Sequence, residues 1–274
     1  MATRKRFIIF TTLISLTFFI FTSSTILGKY ITFESKVVAE TTGDKTPLKI
    51  HALKTIDVQF KESNQLFLEK RNQKIVFLTF DDGPTEHTLA ILDILNKYNA
   101  PSTFFMLKGN IVKRPNVVKE VADSGHSIGC HGVSHKVNLF YKTATSPKDE
   151  MDSCSKSVAE VVGKGVELIR VPFGSFPHLT STQKENLAKS QFILWDWNVD
   201  SMDWNIQSPD QMVSIVMKQV EKLENKEKVP VILFHDKEIT VMALPKIIEN
   251  LKALGYEISP LSVEVEPLQF KTKN

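Results

Sequence analysis

Cysteine is almost absent: the 274-residue chain has two, Cys130 and Cys154. Two are too few for a scaffold stapled by disulfides, and they are read as two unrelated thiols. An excess of charge is lacking too. Against 34 Lys and Arg stand 31 Asp and Glu, a formal charge of +3, and Arg4, Lys5 and Arg6 at the N-terminus account for part of it. No basic stripe remains to neutralise phosphates, which excludes nucleic acid as the expected partner. No internal repeat recurs, so a single main domain is the simplest organisation for a chain of this length.

Charged residues are missing altogether from Phe7 to Leu27, where Phe, Ile and Leu dominate a stretch long enough to cross a bilayer as a helix. Arg4, Lys5 and Arg6 precede it, so the positive-inside rule places residues 1–6 in the cytoplasm and everything after residue 27 outside. The Thr22-Ser23-Ser24-Thr25 cluster resembles the end of a signal peptide, but no A-x-A pattern follows. An uncleaved transmembrane anchor over 7–27 is therefore favoured over a secreted product. Residues 28–73 mix Thr, Lys, Glu and Gln with short apolar stretches and read as a stem.

Beyond Lys74 short apolar runs alternate with helical segments. Ile75–Phe80 is a strand, followed by a turn at Gly83-Pro84 and a helix with Leu89, Leu92 and Leu95 on one face. Ser102–Leu107 is a second strand, leading to a helix with Pro115 near its start and Gly125 after its end. Ser127–Cys130 is a third, and Ser146-Pro147 opens a helix, with Asp149 and Glu150 in its early turns, that should stop at Gly163. Val166–Val171, Phe192–Val199 and Val229–Phe234 are three more strands, with a helix opened by Ser208-Pro209-Asp210 between the last two. Tyr256–Leu261 closes the set. This rhythm predicts an α/β fold, a mainly parallel sheet closed or nearly closed with helices outside, over 74–261, with a tail at 262–274. In such folds chemistry sits at the C-terminal ends of the strands.

Polar residues collect at those ends. Asp81 and Asp82 follow the first strand, where one carboxylate can bind a cation while its neighbour takes a proton; an Asp-Asp-Gly-Pro turn that caps its own backbone is the bland alternative. His131 and His135, in H-G-V-S-H, can grip one ion if the turn between them curls, or can be an incidental pair. Cys130 is left out of that set because successive residues of a strand point to opposite faces. His126 and His87 are read as structural or solvated. Arg170 ends the fourth strand in R-V-P-F-G, where a guanidinium beside Asp81 favours its charged form and the Phe173 N–H is free to face an oxyanion; a surface ion pair is the alternative. Asp203 and His235 bring a third carboxylate and a third imidazole, a pairing that suits a general acid. Trp204 and Leu233 are either core or the walls of a pocket for a small acyl group.

With T-F-D-D-G-P, H-G-V-S-H, R-V-P-F-G, D-S-M-D-W and L-F-H-D in this order, the chain resembles the polysaccharide deacetylases of the NodB-homology, or carbohydrate esterase family 4, type. The resemblance covers roughly Lys74 to Leu261, including P-S-T-F-F-M-L-K-G-N after the first helix. It implies a distorted, incomplete (β/α) barrel and a hydrolase that removes acetyl groups from amino sugars with metal-activated water. It implies Asp81 as catalytic base and Asp82, His131 and His135 as ligands of one divalent ion, zinc first, with cobalt or nickel as alternatives. Arg170 would position Asp81, and His235 supported by Asp203 would be the general acid. The Phe173 N–H would face the oxyanion, and Trp204 and Leu233 would enclose the acetyl methyl. One position departs: the family usually has Ser or Thr after the first metal-binding His, and here Gly132 stands there, which could loosen the turn.

Two histidines and a carboxylate also make the facial triad of non-haem iron oxygenases, but an oxygenase has no need of Asp81, Arg170 and the Asp203–His235 pair together. A non-catalytic glycan-binding protein on the same fold is the other alternative. The outward-facing anchor and the resemblance together point to peptidoglycan amino sugars as substrate, with chitin-like oligomers or an exopolysaccharide as runners-up. No protein partner is expected.

Overall fold

The computed structural model describes residues 74–271; the apolar span 7–27 and the stem 28–73 lie outside the described residues. Among the described residues no helix is long and apolar enough to cross a membrane.

The strands are β1 (Lys74–Gly83), β2 (Thr103–Met106), β3 (Ser127–Cys130), β4 (Leu168–Ile169), β5 (Ile193–Leu194), β6 (Val199–Asp200), β7 (Val231–His235) and β8 (Tyr256–Ile258). Between them run α1 (Thr88–Lys97), α2 (Lys108–Lys113), α3 (Pro115–Asp123), α4 (Val137–Phe140), α5 (Ser146–Val162), α6 (Ser181–Lys189), α7 (Pro209–Glu224) and α8 (Glu238–Ala253). The helix boundaries follow local chemistry. Ser208 Oγ accepts from Gln211 N at the start of α7, Thr180 and Gln183 form a capping box on α6, and Gly163 ends α5 at φ 82°, where a glycine carries no Cβ penalty.

All strand pairs are parallel, in the order β5-β4-β3-β2-β1-β7-β6, with β8 beside the first residues of β1. The topology forces curvature. β5 and β6 lie at opposite ends of this order, yet only Trp195 to Asn198 separate them in sequence, and the chain from Leu194 to Val199 spans at most about 18 Å fully extended. The sheet therefore curls into a barrel that stays open between β5 and β6. The single strand predicted over Phe192–Val199 is thus broken in two, because its middle crosses the gap. The fourth strand, predicted over Val166–Val171, is ordered as strand only at Leu168–Ile169.

Alternation along the strands divides the core into two layers. Val76, Leu78 and Phe80 of β1 face the helices in the larger apolar cluster, where Phe80 stacks between Phe104 and Phe234. Phe77 faces the barrel interior with Phe105, Leu168, Trp195, Val231 and Leu261. On α1 the buried face is Ile91, Leu92 and Leu95, whereas Leu89 is 49% exposed; of the predicted stripe Leu92 and Leu95 belong to it and Leu89 does not.

Two further sequence readings change. Cys130 and Cys154 are joined as a disulfide between β3 and α5, their Cα atoms 5.9 Å apart, so the two are not unrelated thiols. Alternation explains the pairing: Cys130 points away from the barrel interior, toward α5 packed outside. Residues 262–271, set apart as part of a tail, lie against the open side of the barrel. Val265 and Leu268 pack on the inner cluster, and the Phe270 ring meets Trp197 at 4.9 Å.

Candidate active site

The inward-facing set of β1 reads Phe77, Thr79, Asp81, and that of β7 reads Val231, Leu233, His235. Asp81 and His235 are register partners on adjacent strands, so both side chains enter the barrel mouth at one level. Asp82 would point outward if β1 stayed extended. Instead its φ is 71°, the register with β2 shifts between Asp81 and Gly83, and the second carboxylate turns into the same mouth. Asn110 Nδ2 donates to the Asp82 carbonyl at 2.7 Å and holds this conformation.

Asp82 Oδ1 lies 3.3 Å from His135 Nε2 and 3.6 Å from His131 Nε2. One ligand atom from each of the three residues falls within 4.8 Å of the others. Asp82 Oδ1 is buried without a hydrogen-bond partner, an arrangement costly unless something else meets it. The His131 ring completes the case for a cation: Nδ1 lies 2.6 Å from the Arg170 carbonyl, so it carries the proton and Nε2 offers a lone pair. Burial, then the neighbouring His131, push the His135 pKa down against the pull of Asp82 and Asp81, which favours the neutral, ligating form. Two imidazole nitrogens and a carboxylate oxygen with room for further ligands fit a divalent ion of the zinc type.

Arg170 is fully buried, which excludes a surface ion pair. Its Nη1 donates to Asp81 Oδ1 at 3.0 Å and to Thr79 Oγ1 at 2.7 Å. Nε and Nη2 donate to the carbonyls of Trp195 and Asp196, and the guanidinium lies 4.4 Å over the Phe105 ring. A buried charge with this many partners is fixed in orientation, and Asp81 is fixed with it.

On the far wall His235 Nδ1 meets Asp203 Oδ1 at 2.7 Å, while the His235 backbone N–H and Thr240 Oγ1 both donate to Asp203 Oδ2. Burial alone would lower the His235 pKa. The hydrogen bond and charge of Asp203, with smaller help from Asp81 and Asp82, outweigh it, and the net direction is up. Burial likewise opposes ionisation of Asp203, but its bonds to His235 and Thr240 prevail and its pKa falls. With Nδ1 committed to Asp203, Nε2 is the nitrogen left for the cleft.

A cleft of about 500 Å³ is lined by Asp81, Asp82, His131, His135, Phe173, Trp204, Leu233 and His235, with Trp197, Asp200 and Lys237. Arg170 and Asp203, the other two residues picked from sequence, stand one contact behind it. Trp204 is 53% exposed with its indole nitrogen 3.3 Å from Asp200 Oδ1, so it is a wall rather than core; Leu233 is buried and reaches the same cleft. Phe173 has φ 65°, its ring 4.7 Å from that of His135. A larger cleft of about 640 Å³ at the other end of the strands is lined by residues such as Lys119, His126 and Leu261, but none of the carboxylate–imidazole pairs lies there. Of the two readings open for His126, structural or solvated, the structure supports the first: its buried ring accepts from Ser102 N, and burial lowers its pKa to about 4.

Three carboxylates that shape the site were missed. Asp236 accepts from Thr85 N and Thr88 Oγ1 and locks the loop after Asp82; its carboxylate fills the space where a Cβ on Gly83 would sit, at 2.5 Å. Asp196 accepts from Ser175 N, Ser175 Oγ and Phe270 N, tying the R-V-P-F-G loop to the C-terminal residues. Glu150, read only as an early-turn acid of α5, accepts from the backbone N–H groups of Val133 and Ser134. The signal for Asp236 was an acid directly after an apolar strand, in L-F-H-D, and for Asp196 an acid inside an apolar run, in W-D-W.

This arrangement has counterparts among known proteins. The family profile described as polysaccharide deacetylase matches residues 69–191. A putative polysaccharide deacetylase of Bacillus subtilis, YheN, is 40% identical over 73% of this chain and 71% of its own length. A peptidoglycan-N-acetylglucosamine deacetylase of Bacillus cereus is 35% identical over 73% of this chain and 91% of its own. The crystal structure of the Bacillus cereus polysaccharide deacetylase Bc1974 superposes with a TM-score of 0.66 at 34% identity, covering 72% of this chain and 97% of that one. The chain belongs to the polysaccharide deacetylase family, carbohydrate hydrolases that cleave the carbon–nitrogen bond of an acetamido group.

Proposed function

We infer that this chain de-N-acetylates peptidoglycan outside the cytoplasmic membrane, and that the ten residues around the cleft divide the work. The observation that carries the reading is the convergence at one strand-end mouth of three units with different chemistry: Arg170–Asp81, Asp82–His131–His135 and Asp203–His235.

A divalent cation bound by Asp82, His131 and His135 would supply Lewis-acid polarisation and a lowered pKa for water. Asp81, oriented by Arg170, accepts the proton of the attacking water. The Phe173 backbone N–H donates to the oxyanion of the tetrahedral intermediate. His235, held protonated by Asp203, donates a proton through Nε2 to the sugar nitrogen as the C–N bond breaks, leaving a free amine and acetate. Trp204 and Leu233 bound the apolar space for the methyl group.

The names of the Bacillus cereus relatives support peptidoglycan as the polymer. The extracytoplasmic site is supported by the apolar span Phe7–Leu27 behind Arg4, Lys5 and Arg6, and by a disulfide of the kind that persists in oxidising compartments.

The test is acetate release from purified peptidoglycan by the full-length chain in mild detergent, with chelator, with zinc or cobalt restored, and with Asp81→Asn. Release that needs the ion and falls at least about a hundredfold in the variant is expected. Release from chitin oligomers alone would move the substrate, and none from any acetylated glycan by zinc-loaded protein would leave a glycan-binding protein.

A further inference from the structure

The turn from His131 to His135 sets the distance between two imidazoles, so whatever fixes its backbone fixes the metal site. Within it Gly132 has φ 93° and His135 φ 45°, conformations that cost a non-glycine residue energy and persist only when the surroundings determine them. No side chain within the turn bridges it: Gly132 has none, and Ser134 Oγ is bonded elsewhere. The restraint comes from α5. Glu150 Oε2 accepts from Val133 N at 2.8 Å and from Ser134 N at 2.9 Å, and Glu150 Oε1 accepts from Ser134 Oγ at 2.6 Å. Two consecutive amides converging on one carboxylate oxygen form a small anion cradle, and charge-assisted bonds of this kind are the stronger class.

We propose that Glu150 is a positioning residue for the metal site, a carboxylate clamp that holds the His131–His135 turn in its ligating shape. The proposal rests on Asp82, His131 and His135 being the metal ligands. Gly132 is part of the device: a Cβ there would meet the Phe140 ring at 2.8 Å and Glu150 Oε2 at 3.2 Å, so the clamp and the ring of α4 occupy the space a side chain would need. α5 is itself fixed beside the turn, because Cys154, one helical turn beyond Glu150 and on the same face, is bonded to Cys130, the residue before His131. From the other side Lys108 N donates to the Gly132 carbonyl at 3.0 Å. The turn is gripped by its neighbours instead of by its own side chains.

Two substitutions separate position from charge. Glu150→Gln keeps the length and an oxygen that can accept both amides, while its amino group can donate to Ser134 Oγ; Glu150→Asp keeps the charge but is one methylene short. Zinc affinity of the full-length chain, measured by competition with a chromophoric chelator, should fall about tenfold or more in Glu150→Asp and in Glu150→Ala, the range seen when groups supporting metal ligands are removed. It should stay within about threefold of wild type in Glu150→Gln, and the visible spectrum of the cobalt-loaded protein should be altered in Glu150→Asp and unaltered in Glu150→Gln. Wild-type affinity in Glu150→Asp and Glu150→Ala would overturn the clamp and leave the metal site standing. A loss in Glu150→Gln with none in Glu150→Asp would also overturn it, in favour of a charge effect. Failure of the wild-type chain to bind zinc would remove the ligand set itself.

Discussion

Asp203 contributes by bonding both the Nδ1 proton and the backbone N–H of His235. The general-acid role needs His235 protonated, and the Asp203 carboxylate is the main influence raising its pKa against burial. The alkaline limb of the activity profile should therefore fall as pH rises through that raised pKa. Replacing Asp203 with Asn removes the charge and leaves burial to pull the other way, so the alkaline limb of the kcat/KM profile should move to lower pH, with the plateau reduced about a hundredfold. An unshifted limb in Asp203→Asn would assign the alkaline limb to another group. Asp203 and His235 could be paired from sequence because each falls at or just past the end of an apolar strand. Asp196 and Asp236 could not be given roles that way, since what they bind, Ser175, Phe270 and Thr88, is remote in the chain.

Between elements the strongest local tie is the disulfide joining β3 to α5. Closing a loop of 24 residues limits the unfolded chain, worth about 3 kcal/mol in the chain-entropy account. For a domain of this size that is a melting temperature lower by about 6–12 °C after reduction. Thermal scans with and without reductant should show this fall in the wild-type protein, and no response to reductant in Cys154→Ala. The elements themselves were largely readable. Strand positions, the Pro and Gly boundaries of α3, α5 and α7, and the outward direction of Cys130 all follow from periodicity and backbone preference. The pairing of Cys130 with Cys154 does not, because it depends on which helix packs behind β3. The same limit explains the break within Phe192–Val199, a run apolar enough for one strand that tertiary closure divides in two.

At the scale of the described domain, the sheet is open between β5 and β6. Residues 262–271 cover the opening: Asp196 N donates to the Leu268 carbonyl, Phe270 N donates to Asp196 Oδ2, and Phe270 seals Trp197. Trp195 and Trp197 flank Arg170, so this seam supports the charged interior as well as the apolar one. A chain ending at Leu261 should be less stable by about 3–6 kcal/mol from lost apolar burial, read as an earlier denaturant midpoint; unchanged stability would show that the seam closes without these residues.

The sequence by itself determined which residues could do chemistry and at which strand ends they stand, because period-two alternation and strand-end placement are local properties of the chain. It also carried the family, through five short motifs in order. Only the tertiary structure decided how these groups meet: that Asp82 turns back beside Asp81, that Arg170 is buried against it, and that Glu150 and Asp196 brace loops far from them in sequence. Those contacts exist because a curled sheet brings distant loops to one mouth, and curvature is a property of all the strands together.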